Sequence, residues 1–278
     1  MEFLYQMSNV NLFLLIAITF IGISVISITL IQRFIPAEIR YRENSGIASM
    51  SSLITLIYGV LAGLTALYLL NNISYTTIAV QTEANAIADI YRASTWIKEP
   101  NRAIVRTYLK SYLNEVIDVE WPEMRGGAKV GWGGDHILIS LSTELLHYPH
   151  PSQLEVLLLK DMGTAIKELY DARQQRIQMS YTKLSPEVWL VIIIGTILTL
   201  LINYLFGMNF YMHLVAISAV ALMASSMVFL IVALERPFQG DFVIEPEALV
   251  SVLNFIDKEN DKVEAQLRQV EAASHKAG

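Results

Sequence analysis

Histidine and aspartate side chains are concentrated in one stretch of the chain, where their chemistry could bind a metal ion. Asp135, His136, His147 and His150 lie near one another in the sequence, and imidazole and carboxylate groups are ordinary zinc ligands. Glycine and proline residues flank these positions, which is typical of an exposed loop. We therefore predict no metal site here.

A second group of chemically capable residues surrounds Trp121. Glu115, Asp118, Glu120 and Glu123 are spaced closely enough to offer several carboxylates to a cation. Acidic residues at this spacing more commonly form the solvated face or end of an amphipathic helix. We interpret these four residues in that way.

Signatures of enzymes are missing from the sequence. It contains no glycine-rich phosphate loop following a strand and no Ser/His/Asp or Cys/His set with recognisable spacing. It has no cysteine, which excludes disulfides and cysteine-ligated metals. Between residues 72 and 186, acidic and basic residues nearly balance, which argues against a nucleic-acid surface. We predict a protein that is not an enzyme and carries no cofactor.

Hydrophobic windows dominate the rest of the chain. Of its 278 residues, 54% are hydrophobic and 17% are charged, whereas soluble proteins average roughly 25% charged residues. Windows long enough to cross a bilayer occur at residues 11–31, 49–70, 188–206 and 213–234. None contains Asp, Glu, Lys or Arg, which disfavours a proton-coupled transporter because these usually place an ionisable group near the midplane.

The second window is predicted to continue as one helix over residues 49–97, because residues 37–99 contain no proline. Small and weakly polar residues recur along it at heptad spacing with one stutter. In the membrane this seam consists of Ser52, Thr55, Gly59, Ala62, Ala66, Leu69 and Ile73. In the extension it consists of Thr77, Val80, Ala84, Ile87 and Tyr91. Such a seam indicates close helix packing, the lining of an ion pathway, or both.

Between the second and third windows the pattern predicts further helices. Pro100 ends the long helix, and amphipathic helices are expected over residues 102–119 and 137–147, separated by a glycine-rich loop at 126–134. Ser152 and Glu155 form a capping-box pattern that opens a helix to about residue 183. The third span begins at Pro186 and forms an antiparallel hairpin with the fourth, because only six residues connect them.

The C-terminal tail carries apolar residues at heptad spacing with one polar residue among them. One interpretation is a short coiled coil in which the asparagine fixes the register. The other is an amphipathic helix packed on the long helix of its own subunit. The positions are Leu249, Leu253, Ile256, Asn260, Val263, Leu267 and Val270.

These elements predict an all-α integral membrane protein with four transmembrane helices and a helical domain outside the bilayer. We divide the chain into a first membrane hairpin at 1–71, a helical domain at 72–186, a second hairpin at 187–234 and a tail at 235–278. Four spans place both termini and the helical domain on one side. Arg33, Arg40 and Arg42 lie in the first short loop, so the positive-inside rule puts that loop in the cytoplasm and the domain outside.

Four segments of this sequence resemble the bestrophin-like family of bacterial membrane proteins of unknown function: residues 58–63, 83–92, 120–122 and 235–242. The similarity covers most of the chain, from the first span to about residue 246. The last segment is a membrane-exit motif in which Arg236 and Asp241 are predicted to anchor the end of the fourth span. It comprises Glu235, Arg236, Pro237, Phe238, Gly240 and Asp241.

The resemblance implies a bestrophin-like architecture, which in bestrophins is a pentameric anion channel lined by the second span. It implies that the predicted seam of the second span lines the pore in this chain. Bestrophins also carry a Pro-Phe-Gly stretch followed by an acidic cluster that binds calcium. In this chain Gln239 separates Phe238 from Gly240, and few acidic residues follow. That departure puts a calcium site in doubt.

Our functional hypothesis is therefore an oligomeric channel of the bacterial inner membrane that conducts small inorganic anions. The choice of anions comes from the resemblance. The alternative is a non-conducting membrane scaffold or sensor whose helical domain binds a partner.

Overall fold

A computed structural model of the chain describes residues 7–34, 37–240 and 243–277, with side chains throughout except at 37–39 and 263–277. All regular structure in these ranges is helical. The helices are α1 (Asn9–Phe34), α2 (Ala37–Arg42), α3 (Asn44–Ser94), α4 (Asn101–Glu115), α5 (Trp121–Arg125), α6 (Gly133–Leu146), α7 (Gln153–Tyr181), α8 (Pro186–Tyr204), α9 (Phe210–Leu234) and α10 (Glu247–Ala277), with a π-helical turn at Val116–Glu120.

Four helices are long and apolar enough to cross a membrane: α1, α3, α8 and α9. Each covers all or nearly all of one of the four hydrophobic windows, and the predicted all-helical membrane fold is confirmed. The helix α3 runs unbroken for 51 residues, which at 1.5 Å per residue is roughly 75 Å and far exceeds a hydrocarbon core of about 30 Å. A substantial part of α3 therefore extends out of the bilayer, as its lack of proline predicts.

The contacts divide the chain into two compact units. One consists of residues 1–73 and 182–243, and the other of residues 74–181 and 244–278. We call them the membrane unit and the helical unit. The four-segment division drawn from the sequence stays a prediction.

In the membrane unit, two apolar clusters hold the four helices together. Tyr58, Ala62 and Leu69 of α3 pack with Ile192 of α8 and Ile231 of α9. A second cluster joins α1 to the helical hairpin of α8 and α9. Its buried members are Ile28, Leu200, Tyr204, Ile217 and Ala221. The Tyr204 hydroxyl donates to the Ser24 hydroxyl at 3.0 Å, so a buried polar pair accompanies this apolar contact.

In the helical unit, α4, α6 and α7 form the core with the outer part of α3. The predicted helix over 102–119 continues through the π-helical turn and α5 to Arg125, and α6 begins at Gly133, inside the predicted loop. The capping box is present: the Ser152 amide donates to a Glu155 carboxylate oxygen at 2.8 Å, and the Glu155 amide donates to the Ser152 hydroxyl at 3.3 Å. Both donors at the start of α7 are thereby satisfied.

The first half of α10 packs within its own subunit. Leu249 and Ile256 are fully buried, and the Tyr91 hydroxyl of α3 donates to the Asn260 side chain at 3.4 Å. These contacts agree with the second interpretation of the tail as far as Asn260. The later heptad positions Val263, Leu267 and Val270 lie outside the described side chains.

Candidate ion pathway and the charge cluster of the helical unit

The predicted seam divides into two parts where α3 crosses the membrane unit. Ser52, Thr55 and Gly59 are exposed on the surface of the single subunit. The Ser52 hydroxyl donates to the carbonyl of Ala48 at 2.9 Å, which leaves its oxygen lone pairs facing outward. These three positions are therefore available to a pathway or to a neighbouring helix.

The remaining seam positions in this unit face the subunit's own interior. Ala62, Ala66 and Leu69 are buried, and Ile73 is half-buried against the same cluster. Other helices of the subunit cover these side chains. The exposed surface of α3 therefore does not coincide with the predicted seam beyond Gly59. The exposed small residues Ser52, Gly59 and Gly63 share one side of the helix, because steps of four and seven residues return to the same face.

The orientation of α3 is set by a close contact with α8. A Cβ atom on Gly195 would lie 2.6 Å from the Tyr58 ring, so only glycine leaves room for the aromatic side chain there. The Tyr58 and Thr196 hydroxyls are 2.9 Å apart, and Thr196 donates to the carbonyl of Ile192 at 2.8 Å. Because Tyr58 packs against α8, this contact fixes which face of α3 is buried.

Two of the exposed seam residues open onto a groove of about 610 Å³ between α3 and the α8–α9 hairpin. Thr55 and Gly59 form its α3 wall, and Thr199, Met223 and Ser226 are among the residues that line the opposite side. The walls are mainly apolar with isolated hydroxyls. This arrangement suits both an apolar helix surface and a weakly polar pathway.

In the helical unit, the predicted extension seam is mostly core. Thr77 is exposed, whereas Val80, Ala84, Ile87 and Tyr91 are buried. The Arg106 guanidinium lies over the face of the Tyr91 ring, 4.5 Å from the ring centroid.

The exposed side of α3 becomes polar beyond Ile78 in the helical unit. The Gln81 amide donates to the Asn85 side chain at 3.1 Å, and Arg92 pairs with Asp89 on the surface. The surface that α3 offers outward therefore begins with the exposed Tyr75 and Ile78 and continues with amides and a charged pair.

The membrane-exit motif forms a tight structural turn after α9. Glu235 is buried and accepts hydrogen bonds from the Leu184 amide at 3.2 Å and the Trp189 indole at 3.1 Å. Arg236 donates to the Gln239 side chain at 2.6 Å.

The rest of the motif completes the turn. Phe238 is buried, Pro237 lies between the two bonded residues, and Gly240 has a positive φ of 87°, which glycine adopts without strain. Asp241, the other residue predicted to anchor this end of the span, lies outside the described residues.

The acidic positions that follow do not form a calcium site in the part of the chain that is described. Glu245 pairs with Arg125, and Glu247 stands in the first turn of α10. A calcium ion needs six to eight oxygen ligands, and one of these two carboxylates is already bound to a guanidinium. These two carboxylates do not by themselves supply such a set of ligands.

The most concentrated chemistry of the molecule is a buried charge cluster in the helical unit. Arg176 makes two bonds to Glu83, of 2.7 and 3.0 Å, and one of 2.7 Å to Glu120. Arg173 binds the other oxygen of Glu120 at 2.7 Å and pairs with Asp135 at 2.7 Å. All five side chains are more than nine-tenths buried.

Aromatic side chains complete the cluster. The Tyr112 hydroxyl donates to Glu83 at 2.6 Å, and Arg176 lies over the Trp121 ring at 5.2 Å. Burial and the Glu83 carboxylate raise the pKa of Tyr112 well above its usual value, so it remains a donor. Burial opposes the charged form of Arg176, but Glu83, Tyr112 and Glu120 together favour it, and the pKa of that guanidinium is raised.

The π-helical turn brings two adjacent side chains into this cluster. The Trp121 amide bonds to the carbonyl of Val116, five residues earlier. Glu120 and Trp121 are both buried as a result. Widened helical turns of this kind are frequent at functional positions.

The interpretation of Glu120 as part of a solvated helix end is wrong, because the side chain is a buried partner of both arginines. A sequence signal for the cluster exists. Arg173 and Arg176 continue the apolar stripe of Met162, Ile166 and Leu169 on α7 at helical spacing. Charges at core positions of a helix indicate buried partners.

The histidine stretch is placed apart from this cluster. His136, His147 and His150 are exposed, while Asp135 is committed to Arg173. Within the described ranges, the protein has no group of three or more His, Cys, Asp or Glu side chains arranged to hold a metal ion.

Comparison with known proteins agrees with this architecture. A crystal structure of a bacterial Bestrophin homolog from Klebsiella pneumoniae superposes with a TM-score of 0.63 at 17% identity, covering 90% of this chain and 97% of that one. A second variant of that homolog gives 0.63 at 16% identity, covering 87% and 96%. A crystal structure of a membrane protein gives 0.63 at 15%, covering 86% and 96%.

These structures share the fold. No curated protein matches the chain. The model of the Bestrophin-like domain matches residues 18–249, which is most of the sequence. The predicted resemblance is confirmed, and the chain belongs to the Bestrophin-like family.

Proposed function

We propose that the protein is an oligomeric channel for small inorganic anions in the bacterial inner membrane. Family membership supports this function. So does the composition of the spans, since anion passage needs only hydroxyls, backbone dipoles and constrictions. The pentamer implied by the family resemblance is part of the proposal.

The observation that carries the proposal is the exposed side of α3 in the membrane unit. Ser52, Gly59 and Gly63 are exposed there on a helix without any ionisable residue in its hydrophobic window. One subunit cannot enclose a pathway along the outside of a helix, so several copies must arrange their α3 helices around an axis. The lining comprises the exposed positions of the predicted seam, and Ala62, Ala66 and Leu69 support it from behind.

The first test is conductance of the purified protein in planar bilayers with asymmetric chloride. We expect a reversal potential that follows the chloride gradient. Well-folded oligomers that stay silent over a range of voltage, pH and calcium concentration would remove the channel proposal and favour the scaffold or sensor.

Cysteine substitution tests the lining, because the natural chain has no cysteine to interfere. Ser52→Cys and Gly59→Cys channels should lose current when a charged thiol reagent is added. Leu64→Cys is the matched control, since Leu64 is also exposed but lies on another side of α3. Equal modification of current at all three positions, or none, contradicts lining by the Ser52 side.

The alternative function rests on exposed apolar side chains of the helical unit. Leu146, Leu154 and Leu157 are all more than half exposed in the single subunit, and we propose that a partner covers them, because contiguous exposed apolar side chains mark protein contacts. If these residues contact other copies of the chain, charged substitutions there should dissociate the oligomer. If they bind a different protein, the oligomer should survive the same substitutions.

We also propose that the helical unit lies outside the cytoplasm, because the arginines of the first short loop favour a cytoplasmic position for that loop. Arg33 and Arg42 are exposed, whereas Arg40 is buried. A cysteine at Gly131, where a Cβ meets no atom within 4 Å, should react with a membrane-impermeant label in intact cells. Labelling only after lysis would place the unit in the cytoplasm.

A further inference from the structure

A buried arginine lies at the short-loop end of the membrane unit. Arg40 of α2 is only 6% exposed, and its backbone packs against the loop between α8 and α9. A Cβ atom on Gly207 of that loop would lie 2.5 Å from the amide nitrogen of Tyr41. A close backbone contact therefore holds this part of α2 against the loop.

The guanidinium of Arg40 is poorly satisfied by its surroundings. Its Nη1 donates to the carbonyl of Phe206 at 3.4 Å, a long bond. Its Nε is buried with no hydrogen-bond partner. Among the described residues, no carboxylate lies within ion-pair distance of it. An isolated buried charge is strongly unfavourable unless it is compensated.

The polar and charged groups nearby are engaged with other partners. Asn44 and Gly207 exchange two hydrogen bonds of 2.8 Å. The exposed carboxylate of Glu43 is bonded to Arg42 at 3.1 Å. None of these groups forms an ion pair with Arg40.

The His213 ring also offers Arg40 no negative charge. Its Nε2 lies 3.0 Å from the carbonyl oxygen of Asn203, and a carbonyl only accepts, so Nε2 carries a proton. The Nδ1 atom is buried without a hydrogen-bond partner. Arg40 lies near enough to this ring to interact with it electrostatically.

We propose that Arg40 binds an anion at this end of the membrane unit. The ligand chemistry is a singly charged halide or phosphate oxygen held by the guanidinium donors that the protein leaves unused. Two sources can supply it: an anion from the aqueous phase, or the phosphodiester of a lipid headgroup. A planar guanidinium binds either through charge-assisted hydrogen bonds. The site does not depend on whether the protein conducts ions.

The experiment measures the thermal midpoint of the purified full-length protein in neutral detergent. Chloride replaces gluconate at constant ionic strength in one arm, and phosphatidylglycerol replaces phosphatidylcholine in the other. The wild-type midpoint should rise and saturate with one of the two ligands. The rise should disappear in Arg40→Gln and persist in the control Arg42→Gln, whose arginine is exposed.

The two arms identify the source. A saturable response to chloride assigns an aqueous anion, and a response to phosphatidylglycerol alone assigns a lipid headgroup. If Arg40→Gln does not fold, Arg40→Lys should require several-fold more ligand for the same shift, because an ammonium lacks the fork of donors. No response of the wild type in either arm, or an equal response in Arg40→Gln, overturns the site.

Discussion

At the scale of residues, buried charges distinguish the two units of this protein. The helical unit buries three carboxylates with two guanidinium groups and satisfies them mutually. The membrane unit buries Arg40 without a carboxylate partner among the described residues. A paired cluster specifies and rigidifies a core when its members are satisfied. The anion site proposed at Arg40 rests on this difference.

Glu120 is the member of the cluster that touches both arginines, so its substitution should be the most costly. Glu120→Gln leaves two buried guanidinium groups short of a counter-charge, and loss of one partner from a buried pair typically costs about 3–5 kcal/mol. We expect a clearly lower thermal midpoint for the variant. Glu168→Gln is the control, because Glu168 is exposed on α7. Equal midpoints for the two variants would contradict the role of the cluster.

At the scale of elements, the start of α7 shows how local side chains fix a helix terminus. The helix α7 opens on the capping box of Ser152 and Glu155, whose carboxylate also accepts the Tyr148 hydroxyl at 2.7 Å. Hydrogen bonds from the Ser152 amide, Tyr148 and the Ser152 hydroxyl lower the pKa of Glu155 from 4.5 to about 2.

This shift predicts a pH dependence of stability. A carboxylate with a lowered pKa in the folded protein stabilises it fully above the unfolded pKa of 4.5, and the contribution is lost as pH falls toward 2. The thermal midpoint of wild type should exceed that of Glu155→Gln at pH 7, and the gap should narrow as pH approaches 3. A gap that is constant over this range would show that the charge of Glu155 does not contribute.

At the scale of the whole molecule, the tail joins the helical unit as a structural part. Lys110 of α4 pairs with Asp257 at 2.7 Å, and the Trp121 indole donates to the carbonyl of Ile244 at 3.2 Å. Residues 244–260 thereby cover α4, α5 and the outer part of α3.

Two truncations separate this role from a coiled coil between subunits. Removing residues 246–278 should lower the thermal midpoint, because the core positions vacated by Leu249 and Ile256 become exposed. Removing only residues 263–278 should leave both the midpoint and the subunit number by mass photometry unchanged. Loss of the oligomer after the shorter truncation would support the coiled coil instead.

The sequence by itself determined the four spans, the uninterrupted α3 helix, the capping box and the family. These depend on local rules: length of an apolar run, absence of proline, and residue types at fixed spacing. It also placed Glu83 and Glu120 in segments that resemble the family, without showing what they bind.

Only the tertiary structure decided which side of each helix is buried. Heptad spacing groups Gly59 and Ala62 on one seam, but the contact of Tyr58 with Gly195 exposes the first and buries the second. Arg173 and Arg176 meet acids more than 30 residues away in the chain, and Arg40 is buried by a loop far from it in sequence. Such pairings depend on packing between distant segments, which no local pattern encodes.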